Sequence, residues 1–222
     1  MQEARYSLYY SPGACSLASH IALEEMGCDY QAVPVVIADG AHQKPDYLAV
    51  NPRGRVPALV IRDASGERVL TETIAILVHL AQSHPDKGLL PLATGDQPES
   101  LVRALEWMAW LGANVHQGTT RSVIRPASFT DDEGARESVA KKGLENARIA
   151  FADIDERLRD REWALGSGFS LVDAYLLVFY RWGGKCGLAM RESYPAFTRV
   201  MDAVRERPAV EQVIEAQGIQ IE

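Results

Sequence analysis

The hydrophobic pattern changes kind near His84, and that change restricts the chain to two units of different class. Before it, short apolar runs alternate with amphipathic stretches. Tyr6 to Tyr10 reads as a strand. Leu17 to Met26 reads as a helix, with i,i+4 pairs Leu17/Ile21 and Ala18/Ala22 and with Gly27 as its stop. Tyr30 to Ile37 reads as a second strand. Val56 to Ile61 and Arg68 to Leu70 flank Ala64-Ser65-Gly66, a hairpin signal. Ile74, Leu77, Val78 and Ala81 then form a helical stripe. The expected order is strand, helix, strand, short helix, strand, strand, helix. Residues 85–99 carry Pro85, Gly88, Pro91, Gly95 and Pro98 and read as a linker. Beyond them only helical periodicity remains. Leu101, Leu105, Met108 and Val115 share one face, and Ala147, Phe151, Ile154 and Leu158 share another. The expected organisation is a mixed α/β unit over 1–84, a linker over 85–99 and an all-helical unit over 100–222. A chain of 222 residues is long enough to bury a core in each.

Composition narrows the function classes. Apolar residues at 47% and charged residues at 24% describe a globular chain rather than a disordered one. The balance of 23 Lys and Arg against 30 Asp and Glu, net −7, gives no general field for attracting phosphate backbones, so nucleic acid is not expected. The longest clean apolar run, Ala174 to Tyr180, is too short for a bilayer, and the N-terminus lacks the pattern of a signal peptide. Cys15, Cys28 and Cys186 form no CxxC, which fits a reducing, cytoplasmic setting. The five histidines show no HExxH spacing, so no metal is expected. Neither GxSxG nor GxGxxG occurs.

Cys15 is the first candidate for chemistry. It follows the turn Ser11-Pro12-Gly13-Ala14 and opens the first helix. Amide N–H groups at a helix start favour a thiolate; lowering a thiol from about 8.5 to about 6.5 raises its ionised fraction at pH 7 from ~3% to ~75%. The competing reading is a small apolar core residue, which Cys28 and Cys186 exemplify. Val56-Pro57 precedes a strand. A rigid trans turn accounts for it, and so does a cis bond that leaves Val56 free to pair with an extended ligand. Glu72-Thr73, at a helix start, reads either as plain N-capping or as a carboxylate site. Ser170 and Asp173 form a capping box with Asp in place of Glu or Gln, a folding signal for the apolar helix that follows. His116 lies on a helix beside Asn114 and Gln117, where a surface or packed histidine is the ordinary outcome.

Together these segments resemble the cytosolic glutathione S-transferase family over essentially the whole chain. The stretch from Leu8 to His20, with Cys15, is similar to the opening of the bacterial beta class. Asn51 to Leu59 is similar to the segment ending in the family's cis-proline. Leu70 to Ile76 is similar to the segment that holds the γ-glutamyl end of glutathione, and Phe169 to Ala174 to the family's capping box. The resemblance implies a thioredoxin-like N-terminal domain, an all-α C-terminal domain and a homodimer. It implies glutathione as co-substrate, with its cysteinyl backbone on Val56 beside cis-Pro57 and its γ-glutamyl end on Glu72 and Thr73. Its glycyl end would face His42 or Gln43, with Arg55 nearby, and its sulfur would face Cys15, Ser16, Ser11 or Tyr10. A small hydrophobic electrophile is expected among Trp110, His116 and Arg121. Thr73 stands where serine is usual, and Ala109 where the beta class has asparagine. Segment 40–48 is closer to theta-like members. The implied activity is conjugation to glutathione or thiol exchange through Cys15; a non-catalytic glutathione or ligand carrier is the alternative.

Overall fold

A computed structural model describes residues 4–91, 98–166 and 168–221. Strand β1 (Tyr6–Tyr10) is followed by α1 (Ser16–Met26), β2 (Tyr30–Pro34) and α2 (Pro45–Val50). Then come β3 (Ala58–Asp63), β4 (Gly66–Thr71) and α3 (Thr73–Ser83). The four strands form one sheet in the order β2-β1-β3-β4. β1 and β2 run parallel, with Tyr6 opposite Tyr30 and Tyr10 opposite Pro34. β1 and β3 are antiparallel, as are β3 and β4. This is a thioredoxin-like arrangement, with the element order expected.

Alternation along β1 assigns its two faces. Tyr6, Leu8 and Tyr10 are buried on one side; the ring of Tyr10 packs on His20 of α1 and that of Tyr6 on His79 of α3. Tyr9 points the other way, against Tyr47 of α2. Strand β2 stops at Pro34 rather than Ile37. Its partner β1 ends at Tyr10, so after one more bond, Val35 N–H to Tyr10 carbonyl at 2.6 Å, the chain has no neighbour to pair with. β4 is longer than its apolar residues indicated because the ladder to β3 runs on through Glu67 and Gly66.

The helical region contains α4 (Pro98–Trp110), α5 (Arg121–Ile124), α6 (Glu133–Leu158), α7 (Leu171–Lys185), α8 (Met190–Ser193), α9 (Pro195–Arg205) and α10 (Pro208–Gln217). Of the expected linker, Pro85–Lys87 forms a 3-10 turn and Pro98 opens α4, while 92–97 lie outside the described residues. Between α4 and α5, Leu111–Thr120 is a π-helix. The buried stripe here is Ala104, Trp107, Met108, Leu111 and Val115; Leu105, expected inside, is on the outside. The expected face of α6 is fully buried at Ala147, Phe151, Ile154 and Leu158.

At the start of α7 the capping box is complete. Asp173, fully buried, accepts from Ser170 N–H at 2.8 Å, Ser170 Oγ at 2.7 Å and Ala164 N–H at 2.8 Å.

Chain contacts divide the protein into two compact units. One is Met1–Leu92 with Arg205–Gln220; the other is Ala93–Val204 with Ile221–Glu222. The sequence reading assigned 100–222 to a single helical unit. Helix α10 instead belongs with the sheet, because it packs on α1.

Candidate functional site

Three distant stretches of sequence meet at Cys15. The loop after β1 turns at Gly13, whose φ of 64° suits glycine, and Cys15 forms the N-cap of α1. Its thiol donates to the Val56 carbonyl at 3.5 Å and lies within hydrogen-bonding reach of the Thr73 hydroxyl. Cys15, Val56 and Thr73 thus share one site, with the Glu72 carboxylate close enough to act on the thiol electrostatically.

Each partner is held in place by its own element. Val56 precedes the cis peptide bond to Pro57, just ahead of β3. The Arg55 carbonyl beside it accepts from Tyr47 Oη and from Asn51 Nδ2, both at 2.6 Å, so the segment 51–57 is pinned from α2. Glu72 has a φ of 70° and ψ of 122°, the one positive φ outside glycine among the described residues. Its side chain is exposed and pairs loosely with Arg53 at 3.8 Å. Backbone held in so sparsely populated a region costs on the order of 1–3 kcal/mol and tends to mark a functional corner.

His42 and Gln43 occupy a 3-10 turn against the same segment. Gly54, at φ 59°, lets them approach: a Cβ there would come 2.6 Å from Gln43 Nε2 and 2.9 Å from the His42 carbonyl. The buried His42 Nδ1 has no hydrogen-bond partner among the described residues. Arg55 points its side chain into solvent.

The remaining sulfur candidates are arranged differently. The Ser16 hydroxyl closes back on Ser11, donating to its carbonyl and accepting from its N–H at 3.2 Å each. The Ser11 hydroxyl accepts from Ile37 N–H at 3.3 Å. Both serines brace the loop. Tyr10 lies on the α1 face of the sheet with its ring on His20. It is Tyr9, which the sequence did not single out, that packs with Tyr47, Val35, Val56 and Ala14.

The electrostatics run opposite to the sequence expectation. Burial pushes the Cys15 thiol above its ordinary value, outweighing the Thr73 hydroxyl and the amides of Cys15 and Ser16, which pull it down; Glu72 adds to the rise. Helix-start donors are present, and desolvation wins over them. Burial likewise pushes Cys28 and Cys186 up to about 11. Burial, aided by Tyr9 and Cys15, pushes Tyr47 up to about 12 against the Asn51 hydrogen bond. Without glutathione, the resident thiol is therefore a hydrogen-bond donor at neutral pH.

The second unit carries the other candidates. His116 stacks on Trp182 at 4.6 Å and meets Phe179 at 6.5 Å. Trp110 packs edge-on to Trp107, and the Arg157 guanidinium lies 3.6 Å over Trp107 and 5.5 Å from Trp110. Arg121 donates to Gln117 Oε1 at 2.7 Å and approaches the Phe129 ring. Among the described residues no group of His, Cys, Asp and Glu is arranged to hold a metal, and no helix is long and apolar enough to cross a membrane.

Comparison with known proteins gives a consistent result. Residues 4–82 match the family model for the glutathione S-transferase N-terminal domain, and residues 113–208 match that for the C-terminal domain. The glutathione S-transferase GstA of Escherichia coli is 35% identical over 215 residues, spanning 96% of this chain and 98% of that protein. A glutathione transferase homologue from Sulfitobacter, solved with bound glutathione, superposes with a TM-score of 0.85 at 31% identity, covering 98% of this chain and all of that one. A sphingomonad glutathione S-transferase complexed with glutathione gives 0.80 at 33% identity, covering 96% of this chain and all of that one. Family models, full-length relatives and solved structures agree that the chain belongs to the glutathione S-transferase family.

Proposed function

We propose that this transferase binds glutathione along Val56, Glu72 and Thr73 and activates its thiol beside Cys15 for attack on a small hydrophobic electrophile. The observation that carries the reading is the meeting of Cys15, Val56 and Thr73 at one point, with Glu72 held at a strained backbone angle next to them. Val56, ahead of β3, offers backbone groups to the cysteinyl residue of an extended tripeptide. The hydroxyl and N–H groups at the start of α3 suit the γ-glutamyl carboxylate, and the exposed Glu72 suits its ammonium. The unpartnered His42 Nδ1 and the neighbouring Gln43 suit the glycyl carboxylate.

The α1 amides of Cys15 and Ser16, which already pull on the Cys15 sulfur, would act on a glutathione sulfur placed there, while the Thr73 hydroxyl serves the γ-glutamyl end. Cys15, protonated at neutral pH, adds one S–H donor. The glutathione thiol gives its proton to solvent. Its sulfur then forms the bond to carbon as the leaving group departs with the bonding pair. Ionising a thiol two units early needs about 2.7 kcal/mol of differential stabilisation, within the reach of two or three such donors. The raised Cys15 thiol favours this conjugation over exchange through a Cys15 mixed disulfide, which needs the Cys15 thiolate. Trp110, His116 and Arg121 are the proposed acceptor-side residues. A homodimer in the cytoplasm completes the reading, in keeping with three free cysteines.

The test is calorimetric titration of glutathione with turnover of a nitroaryl chloride, on wild type, Cys15→Ala and Thr73→Ala. Conjugation predicts that Cys15→Ala keeps roughly a tenth or more of the activity while Thr73→Ala weakens binding about tenfold. Wild-type turnover of a glutathione mixed disulfide that Cys15→Ala abolishes, with little turnover of the nitroaryl chloride, would instead establish exchange. Binding without turnover across electrophiles and disulfides would refute the enzyme in favour of a carrier.

A further inference from the structure

Helix α10 runs antiparallel along α1 and is fastened at both ends. At its start, Arg207 Nε and Nη2 donate to the two Glu25 carboxylate oxygens at 2.6 and 2.8 Å. At its end, Gly218 takes φ 59° and the N–H groups of Gly218 and Ile219 donate back to Glu215 and Ile214 at 2.9 and 3.2 Å. This closed last turn fixes Gln217, which is buried.

The Gln217 amide reads two elements at once. Its Oε1 accepts from the Gly13 N–H at 2.9 Å, and its Nε2 donates to His20 Nδ1 at 3.0 Å. An amide has one acceptor end and one donor end, so the first bond decides the second. With Nδ1 accepting, the imidazole proton sits on Nε2 and is donated to Tyr30 Oη at 3.2 Å. Tyr30 in turn donates to Glu24 Oε2 at 2.5 Å. The bonds run in one direction from Gly13 to Glu24, and turning the Gln217 amide would set donor against donor in a buried place. Gly13 lies two residues before Cys15, and His20 lies on the helix that Cys15 opens.

We propose that Gln217 is a positioning residue for the sulfur site: its amide fixes the Ser11–Cys15 loop against α1 and so aims the Cys15 thiol and the helix-start amides at the glutathione sulfur. This deepens the glutathione reading above and rests on it. Burial pushes the His20 imidazole down to about 4, with Glu24 opposing, so the ring is neutral at pH 7 and its Nδ1 stays an acceptor for Gln217.

The test uses the full chain with Gln217→Met, which keeps side-chain length without either bond, and Gln217→Glu, whose carboxylate still accepts from Gly13. In glutathione-free protein, NMR-detected exchange of the Gly13 amide is expected to quicken about tenfold in Gln217→Met and to stay near wild type in Gln217→Glu. With glutathione and a nitroaryl chloride, the pH profile of kcat/KM in Gln217→Met is expected to move up by about one unit. That gives about a tenfold loss on the acid side and recovery on the alkaline side. Unchanged Gly13 exchange overturns the proposal, and so does a loss equal at every pH, which is the mark of a merely structural role. Wild-type protein that fails to bind glutathione refutes the site reading itself, before any variant is compared.

Discussion

At Glu72 the proposed glutathione contact predicts that stability and function pull apart. Its positive φ strains the corner between β4 and α3, and its exposed side chain makes only the long ion pair with Arg53, so it contributes little to folding. Glu72→Gly is expected to leave stability unchanged or to raise it by up to about 1 kcal/mol in urea titration, while glutathione affinity falls about tenfold or more by calorimetry. A destabilised variant with unchanged affinity would sink the assignment. The sequence showed that Glu72 and Thr73 start a helix but not that the backbone bends into a glycine-like region there, because nothing in a Glu side chain announces it. Cys15 was legible as a helix-start cysteine. The direction of its shift was not, since burial depends on Val56 and Thr73 arriving from elsewhere in the chain. Likewise the Ser16 hydroxyl donates to the Ser11 carbonyl and the Ser11 hydroxyl accepts from Ile37 N–H, partners that the local sequence does not give.

Among the elements, α7 depends most on a single side chain. Asp173 satisfies two N–H groups and one hydroxyl with no solvent contact. Asp173→Ala leaves those donors buried and unmatched, and is expected to cost about 2–4 kcal/mol in denaturant unfolding. Far less, with no water or rearranged loop filling the gap, would contradict the cap's importance. This box was readable because its residues are three apart. So was the order of strands and helices in the first unit, because periods of 2 and 3.6 differ over a few residues. The π-helix at 111–120 was not readable, and Leu105 fell outside because the buried stripe of α4 runs through Ala104, Met108 and Leu111, one residue away from the face its spacing suggested. The end of β2 was hidden for a related reason, since it is set by where β1 stops.

Over the whole molecule, His20 supplies one part of the acid dependence of stability. Its value falls from 6.5 to about 4 because burial disfavours the imidazolium, with Glu24 opposing. Above pH 7 the group is neutral in both states and contributes no dependence. Below 6.5 the unfolded chain takes a proton that the folded chain refuses, so stability is lost on the way down to about pH 4, reaching about 3 kcal/mol. His20→Phe should flatten this slope in urea titrations at stepped pH, whatever its own baseline; an unaltered slope would remove His20 from the account. The link of His20 to Gln217 spans nearly the length of the chain, and no local pattern could reveal it. The return of α10 to the first unit also has a consequence for the order of assembly. The sheet and α1 leave the ribosome early, while Arg207 and Gln217 emerge only after residues 93–204 of the second unit, on the order of ten seconds later at ordinary elongation rates. Through that interval Glu25 and His20 wait without Arg207 and Gln217, so the Gln217 bond to the loop carrying Cys15 is made late, after the bonds of Ser11 and Ser16 that brace it.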